Sequence, residues 1–306
     1  MVESLFLCRT PFQYRLAREI IKNNKLRSFE IIYISDKQIQ NSLGSDVTVL
    51  VKNNPIIDFF YLLKILCSKK STNIYISSVN NYIFQFYVTY FFKGDIITYD
   101  DGSANILSTS FFFNDPSLTG KIKRLVFNRF LRCMDAQAIL NSSEYHYTIY
   151  NRKGSKYIKV KLFESLEDKD KDKDKDKDKD KEITVILGSC FSELSYHPCE
   201  LVKKLENYIS YLEDYVYIEH PRNQYLKHDF EPVINTEQLA EDTILSLTSK
   251  FSTVKVVGFF SSVHVNLYGL EGITLIALDS DLIISKYKAD IILKVDYPKI
   301  KFETLY

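Results

Sequence analysis

The chain of 306 residues carries 40 Lys and Arg against 39 Asp and Glu, with 45% hydrophobic and 26% charged residues, 22 Tyr, 21 Phe and no Trp. That length allows two cores of roughly 120 to 170 residues each; the balanced charge gives no reason to expect a nucleic-acid partner. Five scattered cysteines without a C-x-x-C pair argue for a reducing compartment and against a disulfide framework or a thiolate zinc site.

The first residues run directly into an apolar stretch with no signal-peptide pattern. The longest apolar stretches, 55–67 and 82–92, fall short of the ~20 residues a bilayer span requires, so a cytoplasmic protein is expected. Hydrophobic periodicity predicts strands over 4–8, 30–35, 47–51, 73–77 and 95–99, with helices over 11–23, 56–67 and 80–92. Residues 121–132 are basic on one face and apolar on the other, which suits either an anionic membrane surface or packing against the core or a partner subunit.

From Asp168 to Lys181, Asp and Lys alternate without interruption. Residues four apart there carry like charge, so a helix gains no attraction, and the run reads as a solvated tether. Beyond it the alternation resumes, with strands over 183–187, 215–218, 253–257 and 273–278 and helices over 198–213, 236–249 and from Ser261. The expectation is an α/β protein of two doubly wound, Rossmann-like domains facing a cleft, 1–166 and 183–306, joined by a flexible linker over 167–182.

Open α/β sheets bind ligands beyond the carboxyl ends of their strands. Three motifs fall there: Asp100-Asp101-Gly102, His220-Pro221-Arg222 and Ser261-Ser262. A carboxylate in a glycine turn can approach a substrate hydroxyl, and a second one beside it can raise its pKa toward that of a base. His220 follows a buried strand with a phosphate-suited Arg222 beside it. A rival His197-Pro198 has its proline at the first turn of a predicted helix. A serine pair at a strand-to-helix turn offers hydroxyls and free amides to an anion, or simply caps the helix. Asp279-Ser280-Asp281 has the D-x-D form of metal-dependent sugar transferases but also that of a strand-end turn.

Taken in order, these motifs resemble the bacterial sialyltransferases of glycosyltransferase family 52. The resemblance is carried by Tyr99-Asp100-Asp101-Gly102-Ser103, Gly120-Lys121-Ile122-Lys123-Arg124, Glu144 to Ile149, Ile186-Leu187-Gly188-Ser189, His220-Pro221-Arg222, Glu241 to Leu245 and Phe259-Phe260-Ser261. It implies a GT-B-like fold, CMP-sialic acid as donor, a galactose-ended acceptor on a surface glycan such as lipooligosaccharide or capsule, inversion, no metal or other cofactor, and a homodimer. Its site would use His220 as general acid and Asp101, with Asp100, as base. Pro221, Arg222, Ser261, Ser262, Glu241, Gly188 and Ser189 would hold the donor. Some relatives carry a proposed catalytic Asp where this chain has Phe191, which leaves Asp101 or Glu193 to take the proton. A relative using another sugar nucleotide, such as a glucosyltransferase, and a non-catalytic binding relative are the alternatives.

Overall fold

The computed structural model describes residues 2–35, 45–51, 54–102, 118–163, 178–220, 230–234, 239–284 and 297–306. They form two units, Met1–Leu162 and Phe163–Tyr306, each built on its own parallel sheet.

In the first unit β1 (Val2–Cys8), α1 (Pro11–Asn23), β2 (Phe29–Ser35), β3 (Val47–Val51), α2 (Pro55–Ser68), β4 (Ser71–Ile76), α3 (Tyr82–Tyr90) and β5 (Asp95–Tyr99) follow the predicted rhythm closely. Thr10 explains the sharp start of α1: its hydroxyl accepts from the Gln13 amide at 3.2 Å, and Pro11 needs no amide partner in the first turn. Past β5 come α4 (Leu118–Arg124), which continues as a π-helical turn over Leu125–Phe130, then α5 (Ala136–Ser142), β6 (His146–Thr148) and β7 (Tyr157–Lys159). Of these the sequence singles out only the stretch 121–132, as basic on one face and apolar on the other; the two strands are too short to show a period.

The second unit contains β8 (Asp178–Leu187), α6 (Phe191–Leu194), α7 (Pro198–Ile209), β9 (Tyr215–Ile218), β10 (Val233–Ile234), α8 (Ala240–Thr248), β11 (Phe251–Phe259), α9 (Ser262–Asn266), β12 (Ile273–Asp279) and β13 (Ile300–Thr304). α7 ends at Ile209, short of the predicted 213, and β11 is longer than predicted, but one boundary changes the reading of the linker. β8 begins inside the charged repeat, with Asp178 paired to Phe251 of β11. A two-residue alternation cannot support a helix, but it matches the pleat of a strand, and Ser252 Oγ donates to the Lys181 carbonyl at 3.0 Å. Residues 167–177 of the expected linker lie outside the described residues.

The sheets have strand orders β3-β2-β1-β4-β5-β6-β7 and β10-β9-β8-β11-β12-β13, with every pair parallel. In each, the chain works outward from its first strand, then returns to the other side of it. The reversal therefore falls between β1 and β4 in one unit and between β8 and β11 in the other. Leu5, Leu7, Ile74 and Ile76 are buried at the first reversal, and Val185, Ile186, Val256 and Val257 at the second. Burial on both sheet faces produces such near-continuous apolar runs, and each of these side chains contributes on the order of 1.5–3 kcal/mol.

Candidate active site

Asp101 is the second residue past β5, and the reversal point of the first sheet holds it. Gln13 of α1 donates its amide to Oδ1 of Asp101, and Ser78, two residues past β4, reaches Oδ2 at 3.3 Å. Gln13 is itself oriented by the Arg9 amide, which donates to its Oε1 at 2.6 Å, and by Ser78 Oγ at 3.1 Å from its Nε2. Burial pushes the Asp101 carboxyl above the usual carboxylate range. The Gln13 bond, the Arg9 charge and Ser78 oppose that push, and Asp100 adds a smaller upward contribution. Gly102 turns the chain away with φ of 69°, a left-handed conformation that glycine adopts without strain.

Asp100 was expected to share in the chemistry, and its placement gives it another task. It is completely buried, with Oδ1 3.0 Å from His146 Nε2 and Oδ2 accepting from the Ile149 amide at 2.8 Å. Its side chain is wholly shielded from solvent, unlike that of Asp101, so no substrate hydroxyl reaches it. His146 is held in turn by Thr98 Oγ1, 2.9 Å from its Nδ1. Asp100 thus ties β5 to β6 and fixes the strand end from which Asp101 projects.

The second unit repeats the logic. A cavity of about 250 Å³ sits at its reversal point, lined by Gly188 and Ser189 after β8, His220 after β9, and Ser261 and Ser262 after β11. Five predicted residues from three separate strand ends therefore meet at one place. Gly188 is required by close approach: a Cβ there would lie 2.6 Å from the Ile218 carbonyl oxygen and 2.7 Å from the His220 amide nitrogen. Its own amide donates to Ile218 O at 2.8 Å, which locks the end of β8 beside the end of β9. Pro221 and Arg222 lie outside the described residues.

Ser261 caps α9, and its amide and hydroxyl each lie 3.3 Å from Nδ1 of His264. His264 Nε2 donates to the Ile276 carbonyl at 3.0 Å, and burial lowers this imidazole to about 4, so it stays neutral with Nδ1 free to accept. Glu241 was expected to touch the nucleoside. It is instead buried and does not line the cavity, accepting from Asn266 Nδ2 at 2.7 Å while its neighbour Ala240 does line it. Phe191 is fully buried, edge-on to Phe259 at 6.2 Å, whereas Glu193 faces the cavity.

The competing motifs resolve into structure. His197 precedes α7 with an exposed side chain and stands 3.9 Å from Glu200. In the D-x-D turn, Asp281 pairs with Lys204 at 2.8 Å and Asp279 accepts from the Ser280 amide at 2.8 Å.

Gln13, Ser78, His146, His264 and Asn266 escaped the sequence reading because each acts on a partner far along the chain or through a buried capping pattern. Only the spacing of Ser261 and His264, the N-cap and third helical residue, carried a local hint.

The profile of glycosyltransferase family 52 matches residues 37–282. A CMP-N-acetylneuraminate:beta-galactoside alpha-2,3-sialyltransferase of Pasteurella multocida is 27% identical over 91% of this chain and 92% of its own length. An N-acetyllactosaminide alpha-2,3-sialyltransferase of Haemophilus influenzae is 25% identical over 86% of this chain and 88% of its own. Among solved structures, an alpha/beta-galactoside alpha-2,3-sialyltransferase of Photobacterium phosphoreum superimposes with a TM-score of 0.54 at 12% identity, covering 98% of this chain and 97% of that one. The last likeness concerns the fold, two parallel-sheet α/β units of the GT-B-like class.

Proposed function

The chain belongs to glycosyltransferase family 52, and within that family we propose that it is an inverting, metal-independent sialyltransferase moving sialic acid from CMP-sialic acid to a terminal galactose of a surface glycan such as lipooligosaccharide or capsule. The observation that carries this reading is the cavity joining Gly188, Ser189, His220, Ser261 and Ser262 at the reversal point of the second sheet, where a doubly wound fold binds nucleotides. The two relatives named as alpha-2,3-sialyltransferases over most of their length support the donor and acceptor class.

In the proposed reaction an acceptor hydroxyl oxygen bonds to the anomeric carbon of sialic acid as the bond from that carbon to the CMP phosphate oxygen breaks. The bonding pair leaves with the phosphate. Asp101 takes the hydroxyl proton, and its raised pKa suits that task better than an ordinary surface carboxylate would. His220 gives a proton to the departing phosphate, and Arg222, Ser261 and Ser262 bind its charge. Neutralising the leaving group by protonation and hydrogen bonding is what makes a metal dispensable in this scheme.

The test is incubation of the purified protein with CMP-sialic acid and a lactose-type acceptor in EDTA, following CMP release and product mass. An acceptor heavier by one sialic acid is expected, and His220→Ala should lower turnover by about 10²–10⁴-fold while remaining folded. No transfer from CMP-sialic acid, with transfer from another sugar nucleotide, would replace the donor. No transfer from any donor would favour the binding-protein alternative.

A further inference from the structure

Thr98 and Asp100 lie two residues apart at the end of β5, so their side chains leave the same face of the sheet, and His146 of β6 is in register with Thr98. The imidazole bridges the two. Its Nδ1 stands 2.9 Å from Thr98 Oγ1 and its Nε2 3.0 Å from Asp100 Oδ1. Hydrogen bonds continue on both sides: Thr98 Oγ1 is 2.9 Å from Ser143 Oγ, Ser143 Oγ donates to the Tyr145 carbonyl at 2.6 Å, and Asp100 Oδ2 accepts from the Ile149 amide at 2.8 Å. Thr98, Asp100, Ser143 and His146 are all buried, with 4% exposure or less.

The number of hydroxyl hydrogens fixes the direction of this network. A carbonyl only accepts, so the Ser143 hydrogen goes to Tyr145. Ser143 Oγ then receives the Thr98 hydrogen, and the contact between Thr98 Oγ1 and Nδ1 takes its hydrogen from Nδ1. Any other order sets two lone pairs against each other at 2.9 Å in a buried place. At the other nitrogen, a bare lone pair facing an ionised carboxylate would repel it, so a second proton lies between Nε2 and Oδ1. An imidazole and a carboxylate that hold two protons together carry no net charge.

We propose that Asp100 and His146 form a proton-sharing unit of zero net charge, which leaves Asp101 as the one anionic group at the end of β5 among the described residues and makes His146 a positioning residue for that base. Full burial favours this arrangement, because an uncompensated carboxylate is costly away from water. It also frees Asp101 from its neighbour: the upward push of Asp100 on the Asp101 carboxyl is that of a like charge, and the proton held by His146 offsets it. Among the described residues the titratable side chains against the imidazole are Asp100 and Tyr157 of β7, whose ring stands edge-on at 5.6 Å. Those acting on Asp101 are Asp100, Arg9 and Tyr99. The consequence for catalysis rests on the transferase reading; the protonation of the pair does not.

Nitrogen NMR of the full chain, labelled at histidine, reads the pair at neutral pH. His146 Nδ1 should carry a proton, with a second, strongly deshielded one shared between Nε2 and Asp100. A bare Nδ1 would overturn the proposal, because the pair would then hold one proton and a negative charge. Asp100→Asn keeps the proposed pattern, its amide donating to Nε2 and its carbonyl accepting from Ile149 at the same net charge. That variant should leave the titration of the Asp101 carboxyl carbon, and the acid limb of kcat/KM, where they are in the wild type. A downward shift of the Asp101 titration would show that Asp100 carries a charge, and would equally sink the idea. His146→Leu should move the Asp101 titration upward, and adding Asp100→Asn should bring it back; an unmoved Asp101 would remove His146 from control of the base. The wild-type spectrum depends on no variant folding. Asp101 titrates whether or not sugar is transferred, so failure of the transferase reading would show only as missing turnover.

Discussion

Two adjacent carboxylates, Asp100 and Asp101, illustrate how position rather than residue type assigns a role. Asp100 is completely buried between His146 and the Ile149 amide, while Asp101 is half-buried and stabilised by Gln13 and Ser78. The base proposed here works only when ionised, so activity should rise with pH through the Asp101 pKa. Because burial raises that pKa, the acid limb of kcat/KM should lie above the ordinary carboxylate range. Gln13 favours the ionised form, and Gln13→Ala should move the limb to still higher pH; an unmoved limb would mean that another group is titrating. Asp101→Asn should reduce turnover by about 10²–10⁴-fold and raise the melting temperature at neutral pH, since it removes a charge that burial disfavours. A fall in melting temperature would show the ionised carboxylate to be net stabilising.

The strand ends make the site, and they do so by close backbone approach. Gly188 allows the end of β8 to lie against the end of β9, and an added Cβ would fall within 2.8 Å of Ile218 O, His220 N and Tyr217 Oη together. Two of those atoms belong to the backbone and cannot swing aside. Gly188→Ala should therefore cost about 1–3 kcal/mol of stability and, by displacing His220, about 10²-fold in turnover; denaturant unfolding and steady-state kinetics measure the two. Wild-type turnover in a stable Ala variant would mean that this contact does not position His220. Other elements were plain from the sequence, as α1 shows: the helix predicted over 11–23 is the one observed, starting after the Thr10 cap. The α4–π helix was legible only as a stretch basic on one face and apolar on the other, and the sequence did not show that Ile122, Leu125 and Phe130 would be exposed.

Each unit has its own apolar core, one around Leu5, Ile74 and Phe84 and others around Ile186, Tyr217, Val256 and Leu275. Among the described residues, the lining of the proposed donor cavity comes from the second unit alone. CMP should therefore raise the unfolding midpoint of the second unit, by about 2.7 kcal/mol at a hundredfold excess over Kd, and leave that of the first unchanged. Hydrogen exchange resolved by segment would show protection confined to residues after Phe163; equal protection in both units would place part of the nucleotide site in the first.

The alternation of strand and helix, the two sets of strands and the motif residues at their carboxyl ends were all legible in the chain, because each depends on periodicity, capping and turn chemistry over a few residues. The meeting of Gly188, His220 and Ser261 could be anticipated, since one general rule places strand ends together. The partners Gln13, Ser78, His146, His264 and Asn266 could not. Strand order, register and the depth at which a side chain is buried arise from packing between segments tens of residues apart, and that packing alone separated the fully buried Asp100 from the partly exposed Asp101 and turned Phe191 into the core.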